Sequence, residues 1–174
     1  ANGPISPKAY HYLIKKGDRI LDLGCSPGSW LQAASKISGP KSLVVGIDIL
    51  PVKEIKSVRF FLADITDSKT IDLIKQASNE FDVIISDMAP KTSGIKDIDH
   101  NKSIYLNEKA LEVVDKILKI EGNFLCKVFQ GSEFNEFLEK VRKKFAFVKS
   151  SKPDSSRKES KEIYIIAKGF RKLV

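Results

Sequence analysis

Seven short apolar runs, interleaved with segments of helical period, predict an α/β fold in which a mostly parallel seven-stranded sheet is covered by helices on both faces. Three observations carry this reading. The early runs are near-continuous Val/Ile/Leu stretches, as expected of strands buried on both faces. Amphipathic segments separate them, as the crossovers between parallel strands require. The first run ends in a turn with two glycines that opens a helix, a Rossmann-like arrangement suited to holding a ligand at the carboxyl edge of a sheet.

Each element has its own local reason. Ser6 reads as an N-cap and Pro7 as a first-turn residue, opening a short helix through about Lys15 that Gly17 ends. Arg19–Leu23 is a short buried strand, and Pro27–Ile37 a helix with Trp30, Leu31, Ala34 and Ile37 on one face. Leu43–Ile49 and Val58–Ala63 are the second and third strands; a helix over Ser68–Ala77 leads to the fourth, Phe81–Ser86. Pro90–Asn101 is polar and reads as the longest loop, followed by an amphipathic helix over Ser103–Leu118 with Leu106, Ala110, Val113, Val114 and Ile117 on its apolar face. Gly122 turns the chain into a fifth strand, Asn123–Phe129, and Glu133–Phe145 is a further helix. Ala146–Ser150 and Glu162–Ala167 close the chain with no helix between them, so one of the two is expected to run antiparallel at the sheet edge.

The 174 residues suffice for one domain with its own core, and no internal repeat or linker divides them. No apolar run approaches the roughly 20 residues that span a bilayer, and Ala1–Pro4 carries no export signal, so no membrane partner is expected. Cys25 and Cys126 fit neither a disulfide framework nor a metal site, which points to a reducing interior: cytoplasm, or an organelle or nucleolus in a eukaryote. We expect no metal, and a monomer. Charge is placed unevenly: residues 1–139 carry 18 Lys/Arg against 19 Asp/Glu, whereas residues 140–174 carry 12 against 3. A basic end on a neutral body is the footprint of a nucleic-acid binder, with a solvated lysine-rich face as the alternative. Lys149, Lys152, Arg157, Lys158 and Lys161 form the best phosphate-contact stretch, able to position RNA without reading its sequence.

The chemistry sits at strand ends. The first strand runs into Asp22-Leu23-Gly24-Cys25-Ser26-Pro27-Gly28-Ser29-Trp30, where Gly24 and Gly28 allow close backbone approach and the helix offers free N–H groups. Asp48, at the end of the second strand, is placed to bind the hydroxyls of a nucleoside ribose. Asp64, ending the third, is placed to accept from an adenine amino group. The loop is G-x-x-x-G rather than the tighter G-x-G-x-x-G of pyrophosphate binders, and Asp22 precedes it. An acidic, wider loop suits a sulfonium and an ammonium, so S-adenosylmethionine is favoured over a dinucleotide. A nicotinamide-dependent dehydrogenase stands as the rival.

Three further residues lie near the same edge. Asp87 ends the fourth strand, Lys127 lies within the apolar fifth, and Glu162 opens the last. A lysine in such a setting is costly unless paired. Flanked by two carboxylates it is a device for a difficult proton or a developing alkoxide; a structural ion pair is the alternative.

The segments DLGCSPGSW, GIDILP, SDMAPKTSG, KVFQGSEFNEFL and KPDSSRKESKEIYIIAKGF, in that order from about Lys16 to Phe170, resemble the RrmJ/FtsJ family of RNA ribose 2′-O-methyltransferases. The resemblance implies an S-adenosylmethionine-dependent methyltransferase fold and a Lys-Asp-Lys-Glu tetrad whose last three members are Asp87, Lys127 and Glu162. It also implies a cofactor site lined by Gly28, Trp30, Asp48, Asp64 and Asp87. SDMAP with KVFQG is more like the members acting on large-subunit ribosomal RNA than those acting on tRNA. The family's first lysine lies in an S-R-A-x-(F/Y)-K-L-type segment whose offset falls on Gly3; ISPKAYHYL resembles it loosely and offers Lys8. Without that lysine, a non-catalytic RNA-binding or ribosome-assembly member is the third reading. His11 and His100 lack metal-ligand neighbours and read as solvated or hydrogen-bonded surface residues. Trp30 and Phe129 read as core residues rather than stacking platforms.

Overall fold

The computed structural model describes residues 7–152 and 161–173, with side chains from Ala9 onward. The elements run α1 (Pro7–Leu13), β1 (Arg19–Leu23), α2 (Ser29–Ser38), β2 (Leu43–Asp48), β3 (Val58–Leu62), α3 (Thr70–Lys75), β4 (Phe81–Ser86), α4 (Lys96–Ile117), β5 (Leu118–Phe129), α5 (Phe134–Lys144), β6 (Phe145–Ser151) and β7 (Glu162–Phe170). Among the described residues the seven strands form one sheet in the order β3-β2-β1-β4-β5-β7-β6. Strands β1 to β5 pair in parallel, and β7 is antiparallel to both β5 and β6.

Strand alternation assigns the two faces. Ile20, Val44, Val83, Ile85 and Leu125 pack with Tyr10, Leu13, Trp30 and Leu31 under α1 and α2. Their neighbours Leu21, Leu23, Val45, Ile84, Phe124 and Cys126 pack with Ile74, Leu111, Val114, Phe137 and Val141 under α3, α4 and α5. By the two-residue period, Asp22 and Lys127 share the α1/α2 face with Ile20 and Leu125. Strand order reverses between β1 and β4, which puts the carboxyl ends of β1, β2 and β4 around the crevice where α/β ligands bind.

Three sequence expectations are corrected. The antiparallel strand, β7, lies between β5 and β6 rather than at the edge, because it returns from the far side of β6 and inserts beside β5. Helix α4 starts at Lys96, so half of the expected loop over 90–101 is helical. The carboxylate of Asp99 accepts from Ser93 N–H (2.7 Å) and Ser93 Oγ (2.8 Å), and so gives the incoming turn its hydrogen bonds. Strand β5 begins at Leu118, before the expected turn; Glu121 takes a positive φ of 66° and the register with β4 shifts between Phe81 and Val83. Among the described residues no helix is long and apolar enough to cross a membrane.

Candidate active site

The cofactor side is built from turns. At the end of β1, Gly24 has φ +74°, and a Cβ there would sit 2.6 Å from Met88 Cγ; only glycine lets this loop close on the turn after β4. Gly28, at φ +115°, is the N-cap of α2. Asp48 ends β2 and is oriented by backbone: Oδ2 accepts from Ser26 N–H and Oδ1 from Leu50 N–H, both at 2.8 Å. Asp64 is held likewise, Oδ1 accepting from Thr66 N–H and Oγ1 at 2.8 Å. Each carboxylate keeps lone pairs free, since an ionised carboxyl has about four acceptor sites. A cleft of ≈ 510 Å³ is lined by Gly24, Asp48, Asp64 and Asp87, with Ile49 and Met88 among its apolar walls.

Asp22, Gly28 and Trp30 do not line that cleft. Asp22 lies on the strand that leads into it, fully buried, and neither carboxylate oxygen has a hydrogen-bond partner among the described residues. Burial, reinforced by the negative Asp87 and Asp48, holds its carboxyl well above the usual range. A buried acid so placed is short of a donor or a cation. Trp30 is a core residue: its indole packs edge-on against Tyr10 at 5.5 Å and lies 6.1 Å from Tyr164. What it can present to a ligand is the backbone N–H of the first turn of α2, which has no intrahelical acceptor.

The acceptor side is built from side chains of distant strands. Lys127 is 8% exposed, and its Nζ lies 2.9 Å from Asp87 Oδ1 and 3.7 Å from Glu162 Oε1. The register explains the trio. Lys127 pairs with Tyr164 and Phe129 with Glu162, so Glu162 is the diagonal neighbour of Lys127 on the same face. Asp87 arrives from the other side, where β4 ends opposite Cys126. Burial holds the Asp87 carboxyl above its ordinary range, against the opposing pull of the Lys127 ammonium. The three predicted residues are thus brought together.

Two residues that the sequence reading passed over complete the surroundings. The hydroxyls of Tyr10 and Tyr164 are buried without partners among the described residues, and burial pushes both phenols up, so they stay protonated donors. The signal for Tyr164 was its place two residues after Glu162, on the face of Lys127; nothing local distinguishes Tyr10. Helix α1, which carries Lys8, packs on the face that bears Lys127. The Lys8 side chain lies outside the described residues, as do Arg157 and Lys158. Lys149 and Lys152 are exposed on and just beyond β6, and Lys161 is half-buried. His11 is exposed as expected, but His100 is buried.

The sequence profile of the FtsJ-like methyltransferase family matches residues 7–170. Two bacterial and archaeal relatives are named ribosomal RNA large subunit methyltransferase E. That of Syntrophobacter fumaroxidans is 45% identical over 92% of this chain and 82% of its own. That of Methanococcoides burtonii is 47% identical over 91% of this chain, which spans 59% of that relative's length. Among solved structures, a Plasmodium falciparum protein provisionally assigned as a ribosomal RNA methyltransferase superposes with a TM-score of 0.77 at 29% identity, covering 90% of this chain and 88% of that one. Aeropyrum pernix fibrillarin, solved with bound S-adenosylmethionine, gives 0.64 at 15% identity over 88% of this chain and 67% of that one, a likeness of fold.

Proposed function

The chain belongs to the FtsJ-like methyltransferase family, and from that premise we propose that it methylates a ribose 2′-hydroxyl of RNA, with large-subunit ribosomal RNA as the substrate. The observation that carries the reaction type is the buried Lys127 between Asp87 and Glu162 beside a cleft with acids at three strand ends. The cofactor is S-adenosylmethionine, and the residues fit it: Asp48 and Asp64 are pre-oriented acceptors for ribose hydroxyls and an adenine amine, and Asp22 has two buried oxygens in want of a donor or cation. When bound, it supplies a methyl group on a sulfonium, a good leaving group.

What the chain adds is alignment and charge. A ribose 2′-hydroxyl is a weak acid and must lose its proton as the new O–C bond forms. The Lys127 ammonium, fixed by two carboxylates, stabilises the negative charge developing on that oxygen. Asp87, whose carboxyl burial favours in the protonated form, is a proton acceptor within the same cluster. Asp87 also lines the cleft, so one residue faces both reactants. The first lysine of the family's tetrad is assigned to Lys8 on α1. The exposed Lys149 and Lys152 give RNA phosphates a sequence-independent contact.

The reading is tested by offering the chain, with radiolabelled S-adenosylmethionine, both large ribosomal subunits lacking 2′-O-methylation and bulk tRNA, then analysing the nucleosides. A 2′-O-methyl product in large-subunit RNA is expected. Label confined to tRNA overturns the substrate, and cofactor binding with no label on either supports a non-catalytic RNA-binding member.

A further inference from the structure

Strand β4 ends at Ser86, opposite Cys126, but β5 runs on to Phe129. From Lys127 onward β5 therefore has β7 on one side and, among the described residues, no strand on the other. The backbone groups facing that gap are nonetheless met, by side chains of one helix. Asn107 Nδ2 donates to Lys127 O at 2.9 Å and also to Ser103 O at 2.9 Å. Ser103 Oγ accepts from Phe129 N–H at 3.0 Å. His100 Nδ1 bonds to Phe129 O at 2.9 Å, and its Nε2 accepts from Glu133 N–H at 3.0 Å in the turn that follows. That pair of contacts requires the neutral ring with its proton on Nδ1.

All three residues are buried, at 3%, 1% and 1% exposure for His100, Ser103 and Asn107. Their spacing of three and four places them on one face of α4. Gly131 lies flat on the imidazole, where a Cβ would come within 2.2 Å of His100 Cγ, so the turn after β5 is fitted to this ring. Divergence of β4 at Asp87 makes room for the ligand cleft, and it would leave the segment that carries Lys127 half-paired. Helix α4 closes the deficit from the face opposite the Lys127 side chain.

We propose that His100, Ser103 and Asn107 act as a surrogate strand edge that positions Lys127: a hydrogen-bonding ladder on α4 that fixes the backbone from which the lysine reaches Asp87 and Glu162. They are positioning residues that touch neither reactant. The ladder deepens the methyltransferase reading above and rests on it for the role of Lys127. It explains why a helix otherwise packed by Ala110, Leu111 and Val114 buries polar side chains in its first half. Such groups are costly in a core unless bonded; the contacts to β5 supply those bonds, leaving Asn107 Oδ1 without a partner among the described residues.

The test uses the whole chain with two ladder variants, Ser103→Ala and Asn107→Leu, and Val113→Ala as a control that truncates a buried apolar side chain of the same helix and removes no hydrogen bond to β5. Three quantities are read: kcat on undermethylated large ribosomal subunits, Kd for S-adenosylhomocysteine, and the NMR resonance of 13C-labelled Lys127 Cε, identified by its loss in Lys127→Arg. Both ladder variants are expected to lower kcat about tenfold, to leave Kd unchanged and to move the Lys127 resonance, while Val113→Ala changes none of the three. Ser103→Ala removes one oxygen and serves alone if Asn107→Leu does not fold. An unmoved Lys127 resonance in folded Ser103→Ala overturns the proposal, and so does an equal loss of kcat in Val113→Ala. If the unaltered chain transfers no methyl group to ribosomal subunits, the substrate reading fails, and the Lys127 resonance still decides the ladder.

Discussion

The cleft and the ion-paired cluster beside it are held in different ways. On the cofactor side, Asp48 and Asp64 each stand at the end of a parallel strand, and their own or adjacent turns orient them through backbone N–H groups. On the acceptor side, Asp87, Lys127 and Glu162 come from three strands and are held by one another. A turn-held acid keeps its geometry whether or not its neighbours are altered. A mutually held trio does not, because removing one charge changes the electrostatics of the other two. On the proposed function, the first half binds the cofactor and the second responds to charge created in the reaction.

If that division is right, substitutions should separate binding from turnover. The largest effect is expected from Lys127→Met, which keeps the apolar stem and removes the charge. Methyl transfer should fall by about 10²- to 10⁴-fold, the range for losing a positioned group that manages charge or protons. Affinity for S-adenosylhomocysteine by calorimetry should be unchanged; a parallel loss of both would show that the halves are one site. Asp87→Asn is the substitution that breaks the division by design, since Asp87 lines the cleft and pairs with Lys127. It should cost at least about tenfold in kcat and weaken the cofactor complex too, as charge-assisted hydrogen bonds are worth roughly 1.5–3 kcal/mol. Asp48→Ala should weaken S-adenosylhomocysteine binding by about tenfold or more on the same ground, with kcat at saturating cofactor preserved.

The same division marks what could be read from the sequence. Gly24, Asp48 and Asp64, which line the cleft, are legible because each is tied to the end of a strand that a local pattern reveals; Asp22 and Gly28 follow from the same pattern but do not line it. Lys127 is legible for another reason: a lysine inside CKVF is expensive unless paired, and the price of burial points to its partners. The position of β7 was not legible, since insertion between β5 and β6 is a long-range choice that no local pattern records. Nor was the start of α4. Asp97, Asp99, His100 and Asn101 are loop-forming residues by composition, and tertiary bonding of Asp99 and His100 overrides that preference. Leu106, predicted to face the core, packs against it and also lines the cleft, while Ser103 and Asn107 take fully buried positions the prediction left out.

Asp22 sharpens the comparison from below, because it lies on the strand that leads into the cleft yet is buried like a member of the other half. Its native carboxyl lies well above the ordinary range through burial, with Asp87 and Asp48 adding to the effect. A carboxyl whose pKa is raised on folding costs stability as pH climbs. Below the unfolded value of about 3.9 both states are protonated and nothing is lost. Above it the unfolded chain releases its proton first, and stability declines until the native carboxyl ionises too. Asp22→Asn removes that penalty while keeping the shape. The variant should gain on the order of 1 kcal/mol at neutral pH, about 2–4 °C in Tm for a domain of this size. The gain should shrink towards zero as thermal melts are repeated down to about pH 4, and binding of S-adenosylhomocysteine should weaken. A gain independent of pH would mean that the new amide finds hydrogen bonds the carboxyl lacks, and that Asp22, like Asp48 and Asp64, is governed by hydrogen-bond geometry rather than by charge.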